Sequence, residues 1–592
     1  MVKSGLIIPT CLILYAIAWA FADSQKVSTL FGRVIRSAPI LPQSAWVLLG
    51  ITAFTFPVLE YWITAQSHGN ALAGYIPWAD ATEYFHCAET HLLGTQSPPH
   101  CGKRPFYIAF LTGLLWLTGN SLQLALLLQS AILGGATVVL AREVFRTLNA
   151  PAALSAYAVI FVFAAALCSG LAMTENIGLV LGTLALALLW RYAHDGPPPL
   201  LFVGVCVLAA ALSARPGALF VLPALLLWIV LYGKGSLLNR FALAAAAGLI
   251  AASAMALMAS PILIAGGTLG STHSNFSYSV YGLVVGGKGW LQVAIDHPEI
   301  FEQDSPKGLT DKVYQLALES FREKPHLFVL GYIKGVAKYF DALFRYATDF
   351  KPLRLALLLV PWALGVWASL WRWREPPCAL LLMVQAGIIL SSPFLIYDAH
   401  SRAFASTVAV DALFVALGMV WIGDRLAPRN SSRTQVPAEG SGLGFAVYAG
   451  LAALLVPLAL FAIARPVQAP EGFTPPACGP GEEAVVIVPG SATLVLPLVA
   501  QGESSLFPLS VRADHFSSRL HRWVHAKDEL RLPAGSNLVY GARLDNGSLG
   551  QQTLFVWKGE MPARGKPVGF CVKKGQDLGT FIGRAVSMTP MS

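Results

Sequence analysis

Apolar runs of roughly twenty residues, separated by short polar loops, recur along most of this chain. At about 1.5 Å per helical residue, each can cross a hydrocarbon layer of about 30 Å. The pattern predicts about twelve spans, at 6–22, 45–65, 121–141, 151–172, 177–193, 199–213, 216–233, 241–264, 353–371, 378–396, 403–422 and 443–465. The first, "GLIIPTCLILYAIAWAFA", also has the form of a signal peptide with an A-x-A-like end. We read it as a retained span, because the loop and span that follow keep the topology consistent. The stretch "FYIAFLTGLLWLTG" at 106–119 is apolar but reaches only about 21 Å. Beyond residue 465 the pattern changes: "EAVVIV", "ATLVLPLV", "SNLVYGARL" and "QTLFVW" have strand character between Gly, Pro and Asn turns, and one helical stretch, "RADHFSSRLHRWVHA", interrupts them.

Charge orients this pattern. Basic residues gather in 23–44 (Lys26, Arg33, Arg36), 142–150 (Arg142, Arg146), 194–198 with flanking Arg191, 234–240 (Lys234, Arg240), 372–377 (Arg372, Arg374) and 423–442 (Arg425, Arg429, Arg433). With these spans all six loops fall on one side, the cytoplasm by the positive-inside rule. Counting 106–119 as a span would turn Arg142 and Arg146 outward, so it is predicted as an interfacial or re-entrant helix. Three regions then face out: 66–120, 265–352 and 466–592. The second contains amphipathic stretches such as "KVYQLALESFREKPHLFVLGYIKGVAKYF", expected along the membrane surface. The fold expected is an all-α polytopic membrane domain over 1–465, followed by a small mixed α/β extracytoplasmic domain over 466–592.

Composition agrees. A mean hydropathy of +0.60, with 55% hydrophobic and 12% charged residues, excludes an ordinary soluble protein. The net charge of +9 resides in orienting loops and calls for no nucleic acid. No P-loop or Rossmann fingerprint is present, so ATP and nucleotide sugars are not expected as direct substrates. The Asn-Gly-Ser triplet at 546–548 is a glycosylation pattern that chance also produces.

The cysteines test the topology. Cys11, Cys168, Cys206 and Cys378 fall inside spans and read as buried thiols. Cys87 and Cys101 share the first external loop, and Cys478 and Cys571 bracket the tail. Two disulfides fit an oxidising compartment, free thiols being the alternative. Closing the first loop would contribute about 3 kcal/mol in the chain-entropy model.

That loop, "DATEYFHCAETHLLGTQSPPHCGKRPFY" at 80–107, crowds polar residues into an apolar chain. Asp80, Tyr84 and Ala88 lie at four-residue steps, on one face if the stretch is helical. Asp followed by Tyr and Ala, an Arg-Pro-aromatic-Tyr turn, a short apolar helix and a span ending in basic residues resemble the C-type glycosyltransferases (GT-C fold). The similarity is greatest to the protein O-mannosyltransferase and lipid A aminoarabinose transferase branch. It runs from about 60 to 235 and more weakly to 425. "MTENIGLVLGTLALALLWRY" is similar to the family's outer acidic residue before a span, at Glu175. "LSARPGALFVLPALLLWIVLYG" resembles its paired short spans. Two features depart from the family: Ala81 stands where many relatives carry a second acid, and a span precedes the one before the loop.

The resemblance implies transfer of a sugar from a polyprenyl-phosphate donor to a glycan, lipid or protein hydroxyl outside a bacterial cytoplasmic (inner) membrane, with inversion. The site and tail would face the periplasm, and membrane lipids would be partners. Asp80 is then the candidate base, with Glu83 next. Lys103, Arg104, Arg215, Arg402 and His400 are candidates for the phosphate, for which the two-pronged Arg geometry is suited. Tyr84, Glu175 and Tyr397 are candidates for acceptor or sugar. The alternative for each is ordinary: a helix cap or surface pair for Asp80 and Glu83, a structural ion pair for Arg215, a capping cluster for His400 and Arg402. His86, His91 and His100 surround the cysteines, but no pair has the i, i+4 spacing of helical metal ligands. No cofactor is expected, with a divalent cation left open. Competing readings are an O-antigen ligase or polymerase, disfavoured by the early acidic motif, and a flippase or transporter, disfavoured by spans that read as clean of polar residues.

Overall fold

The computed structural model describes residues 43–63, 69–72, 74, 76–92, 99–215, 217–218, 220–265, 276–302, 306–348, 350–426, 442–464, 476–487, 494–500, 511–512, 532–545, 548–560, 568–574 and 582–590. The predicted span at 6–22, the basic loop at 23–42, most of the loop at 423–442, part of the Asn-Gly-Ser triplet and nearly all of the helical stretch predicted within the tail lie outside these residues.

The helices in chain order are α1 Gln43–Ala53, α2 Phe56–Ile63, α3 Asp80–Leu92, α4 Pro105–Leu117, α5 Leu122–Thr147, α6 Ala150–Leu167, α7 Thr174–His194, α8 Pro198–Ala214, α9 Val221–Tyr232 and α10 Leu237–Ile264. They continue as α11 Phe276–Val284, α12 Gln292–Asp296, α13 Pro306–Glu323, α14 Pro325–Ala342, α15 Lys351–Trp371, α16 Pro376–Ser391, α17 Val408–Leu426 and α18 Gly442–Ile463. Seven are long and apolar enough to cross a membrane, and four shorter apolar segments accompany them. This is a multi-pass membrane protein. Local chemistry fixes the starts: the Asn149 side chain accepts from the Ala152 N–H at 2.9 Å, and prolines open α4, α8 and α16 where the helix needs no N–H donor.

Two expectations change. The span predicted at 45–65 is two helices, broken at Phe54–Thr55, because Pro57 has no N–H to give to the Ala53 carbonyl. The stretch at 106–119 is helical, but Pro105–Leu115 is buried throughout. It is enclosed by protein, with Leu460 of α18 against Gly113, which removes the interfacial alternative and leaves the re-entrant one.

Helix α7 is the centre of the bundle: 89% of its most apolar window is buried, against 28% for α10 and α18 at the periphery. Its C-terminal end carries Arg191, which reaches Glu143 of α5 at 2.9 Å, while Arg146 meets the same carboxylate at 3.0 Å. Two loops predicted on one side of the membrane thus meet at one end of the bundle. Glu175 sits at the other end of α7, sixteen residues or about 24 Å away.

The segment predicted to lie on the membrane surface is a small layer of helices, α11–α14, around Tyr281, Val284, Val293, Ile300, Val313 and Ala317. In the tail, β3 Glu482–Ile487, β4 Leu494–Val499, β5 Val511–Arg512, β6 Ser536–Asp545, β7 Ser548–Trp557, β8 Val568–Lys574 and β9 Ile582–Pro590 form a sheet in the order β3-β8-β9-β7-β6-β4-β5, numbered after a hairpin of β1 Ala71–Leu72 and β2 Ile76–Pro77. β4–β5 and β7–β9 are parallel and the other pairs antiparallel. The last two strands were not predicted from the sequence. Cys478 is joined to Cys571 of β8, and Cys87 to Cys101.

Candidate active site

The hairpin β1–β2 delivers the chain to α3. Gly74 lies at its tip with φ +84, and a Cβ there would fall 2.4 Å from the Tyr61 carbonyl oxygen, so only glycine lets the hairpin seat on α2. The chain then turns through Ala79, at φ 50, and begins α3 at Asp80.

Helix α3 has distinct faces. Asp80 and Glu83 are exposed. Ala81, Phe85, Ala88 and Leu92 are buried. Cys87 is tied to Cys101, and His91 stacks on Phe461 with ring centroids 3.9 Å apart. Burial lowers the His91 pKa, and its Nε2 lies 3.2 Å from the Phe461 carbonyl oxygen. Glu83 faces Lys103 at 3.9 Å across the loop, an exposed pair. Such pairs contribute little to stability.

Tyr84 is where the predicted residues converge. Its phenol is pushed up to about 12, first by burial, and the charges of Arg104, Arg215, Asp80 and Glu175 all act on it. Its ring stands edge-on to Tyr107 at 5.4 Å. The Tyr107 hydroxyl donates to Gln129 at 3.3 Å, and Gln129 donates to the Leu171 carbonyl at 2.9 Å. Asn176 also donates to Leu171, at 2.9 Å, which holds the loop before α7 in place. Arg104 donates to the Lys103 carbonyl at 2.7 Å.

Beside this lies a buried charge cluster. Glu175 has no exposed surface, and Arg215 and Arg402 approach the same carboxylate oxygen at 3.5 and 3.7 Å. Thr174 donates to the other oxygen at 3.3 Å. Glycines permit the convergence. A Cβ at Gly178 would meet the Arg215 side chain at 2.8 Å, one at Gly182 would meet the Ser406 carbonyl oxygen at 2.0 Å, and one at Gly217 would meet that of Ala403 at 2.8 Å. Ser406 donates to the Ala211 carbonyl at 3.0 Å, tying the Arg402 segment to the end of α8. Two cations and one anion leave this cluster with a net positive charge.

The remaining candidates lie apart or at the edge. Tyr397 packs its hydroxyl on Gly287 and its ring under Lys338, at 4.6 Å, so it joins the α11–α14 layer. His400 is exposed and left-handed at φ 49. Among the described residues one group has metal-like spacing, Cys478, Glu482 and Cys571. Its two sulfurs are joined to each other, so no thiolate is available to an ion.

Sequence reasoning passed over Tyr107, Gln129, Asn176 and Ser406, whose types are ordinary in membrane helices. It also passed over Gly178 and Gly182, a legible small-xxx-small pair. The spans are less clean than expected. Asp411 is buried in α17, accepts from Trp362 at 2.9 Å, and lines a cavity with Tyr339, Tyr346, Ser401 and Phe404.

No family model matches this chain, and no curated protein matches it. Among solved structures it is similar to the Archaeoglobus fulgidus oligosaccharyltransferase, whose crystal structure is a complex with Zn and sulfate, at 13% identity and a TM-score of 0.38. The match covers 72% of this chain and 54% of that one, so it spans about half of that protein's length. A TM-score of 0.38 is too low to carry residues or chemistry from one chain to the other.

Proposed function

We propose that this protein is a membrane glycosyltransferase that moves a sugar from a polyprenyl-phosphate donor to an acceptor hydroxyl at the outer surface of a bacterial cytoplasmic membrane. The observation that carries the reading is that an exposed carboxylate, Asp80, and a sheltered guanidinium, Arg215, both act on Tyr84, while Arg215 and Arg402 meet on the buried Glu175 carboxylate. The acceptor oxygen attacks the anomeric carbon as Asp80 takes its proton, and the bond to the phosphate oxygen breaks on the opposite face. One displacement inverts the anomeric centre. The leaving phosphate gains negative charge as it departs, and Arg215 and Arg402 are placed to receive it. Glu175 holds the two guanidiniums together until a phosphate competes for them. Tyr84, backed edge-on by the buried Tyr107, offers an aromatic ring suited to a sugar. Lys103 and Arg104, both half-buried, are further cations for the phosphate, Glu83 pairs with Lys103, and Tyr397 packs on the neighbouring helical layer. A divalent cation is no part of this scheme.

Replacing Asp80 by Asn preserves shape and removes the base. Turnover with polyprenyl-phosphate sugars from the native membrane is expected to fall by about 10²–10⁴-fold, while binding of polyprenyl phosphate, followed by tryptophan fluorescence, stays within twofold. Unchanged turnover in Asp80→Asn would remove the base assignment. A transporter would move donor across vesicles with no new glycosidic bond, which product analysis by mass spectrometry distinguishes.

A further inference from the structure

The C-terminal sheet and the helix that carries Asp80 share a core. Ala81, Phe85, Ala88 and Leu92 of α3 belong to the same continuous buried cluster as Leu538, Tyr540, Leu554 and Val556 of the sheet. The helix lies against β7, and from the neighbouring β6 the ring of Tyr540 reaches to 6.1 Å from that of Phe85, tilted by 36°. Tyr540 is fixed by its strand neighbours, pairing with Leu494 on one side and Leu554 on the other. Its phenol is buried beside the Thr82 hydroxyl and the Glu89 carboxylate, and burial raises its pKa well above the ordinary value. Among the described residues it makes no hydrogen bond of full geometry, and its ring packs on Phe85. Thr82 donates to the Pro77 carbonyl at 2.9 Å, which ties the first turn of α3 back to the hairpin that feeds it. Between Pro77 and Thr82 stands Ala79 at φ 50, a left-handed residue of a kind that persists where its surroundings hold it.

We propose that Tyr540 is a positioning residue for Asp80: the docked sheet sets the direction of the first turn of α3, and sugar transfer requires it. Tyr540 touches no reacting atom in this scheme. Neighbouring positions on α3 divide the work, Tyr84 facing the cation cluster and Phe85 facing the tail. The tail acts as a brace on the carboxylate, a role that needs no glycan-binding surface of its own. The inference rests on the reading of Asp80 as the base.

The test uses the full-length protein in detergent, as Tyr540→Ala, Tyr540→Phe and Asp80→Asn. Two readouts are taken: amide hydrogen exchange, and kinetics with polyprenyl-phosphate sugars extracted from the native membrane. In Tyr540→Ala, exchange in the peptide covering 78–86 is expected to rise at least tenfold, with peptides of α7 and of β8 unchanged. kcat should fall at least tenfold and the KM for donor should stay within twofold, since the cations are untouched. Tyr540→Phe keeps the ring and should restore both. The proposal is overturned if Tyr540→Ala exchanges as wild type at 78–86, or if the loss extends equally through β8, which would make Tyr540 only a core residue of the tail. It is also overturned if kcat is unchanged while Asp80→Asn is inactive. Wild-type transfer by Asp80→Asn would instead sink the base assignment, and the exchange data would still decide whether the sheet holds α3.

Discussion

Glu175 is the most constrained side chain in the candidate site: fully buried, with two arginines at 3.5 and 3.7 Å on one oxygen. A buried pair is costly to form and costlier to break, because the surviving charge keeps its desolvation penalty. Glu175→Gln leaves two guanidiniums around a neutral amide, and the expected loss is about 3–5 kcal/mol, read as a lowered thermal midpoint in detergent. Added phosphate should recover part of that loss in the variant more than in wild type. Absence of any destabilisation would mean that Glu175 does not hold the arginines. Arg215 was legible in the sequence because a charge between apolar spans is expensive enough to need a reason, and Glu175 through the family resemblance alone. Tyr107, Gln129 and Tyr540 were not, because a tyrosine or glutamine in such a setting is commonplace, and only the fold reveals what each touches.

The helices themselves were largely legible, since twenty apolar residues leave the backbone few other ways to satisfy its own hydrogen bonds in lipid. The sequence was less informative where one residue overrides the pattern, as Pro57 does between α1 and α2. Hydropathy also failed to say whether 105–117 met lipid or protein, because an apolar helix suits both. Close helix crossings depend on glycines. Gly365 of α15 and Gly418 of α17 each lie so near the other helix's backbone that a Cβ would fall 1.8 Å from a carbonyl oxygen. Gly182 plays the corresponding part beneath Ser406. Gly182→Ala is expected to push the Arg402 segment off α7, at about 1–3 kcal/mol, and to weaken polyprenyl-phosphate binding more than it weakens folding. Binding measured by fluorescence alongside the melting curve checks this; equal binding in a fully folded variant would detach Gly182 from the site.

Two clusters at opposite ends of α7 give the molecule a polarity, with Glu143, Arg146 and Arg191 at one end and Glu175, Arg215 and Arg402 at the other. The reading above puts the second end outside. A cysteine placed at exposed Glu299 should react with a membrane-impermeant maleimide in intact cells, while one placed at exposed Lys234 should react only after lysis; the reverse pattern would invert the topology. The tail's strands were partly legible from their turns, but its docking was not, because Phe85 and Tyr540 are separated by 455 positions that no local pattern connects. That separation has a consequence for how the protein is made. Phe85 of helix α3 is synthesised 455 residues ahead of Tyr540, at roughly 5–20 residues per second. For roughly 20–90 seconds the growing chain carries its carboxylate without the strand proposed to aim it. A chain stalled before β6 would insert in the membrane and present Asp80, yet lack an aligned site. On that proposal, an element made later in synthesis completes a site laid down earlier.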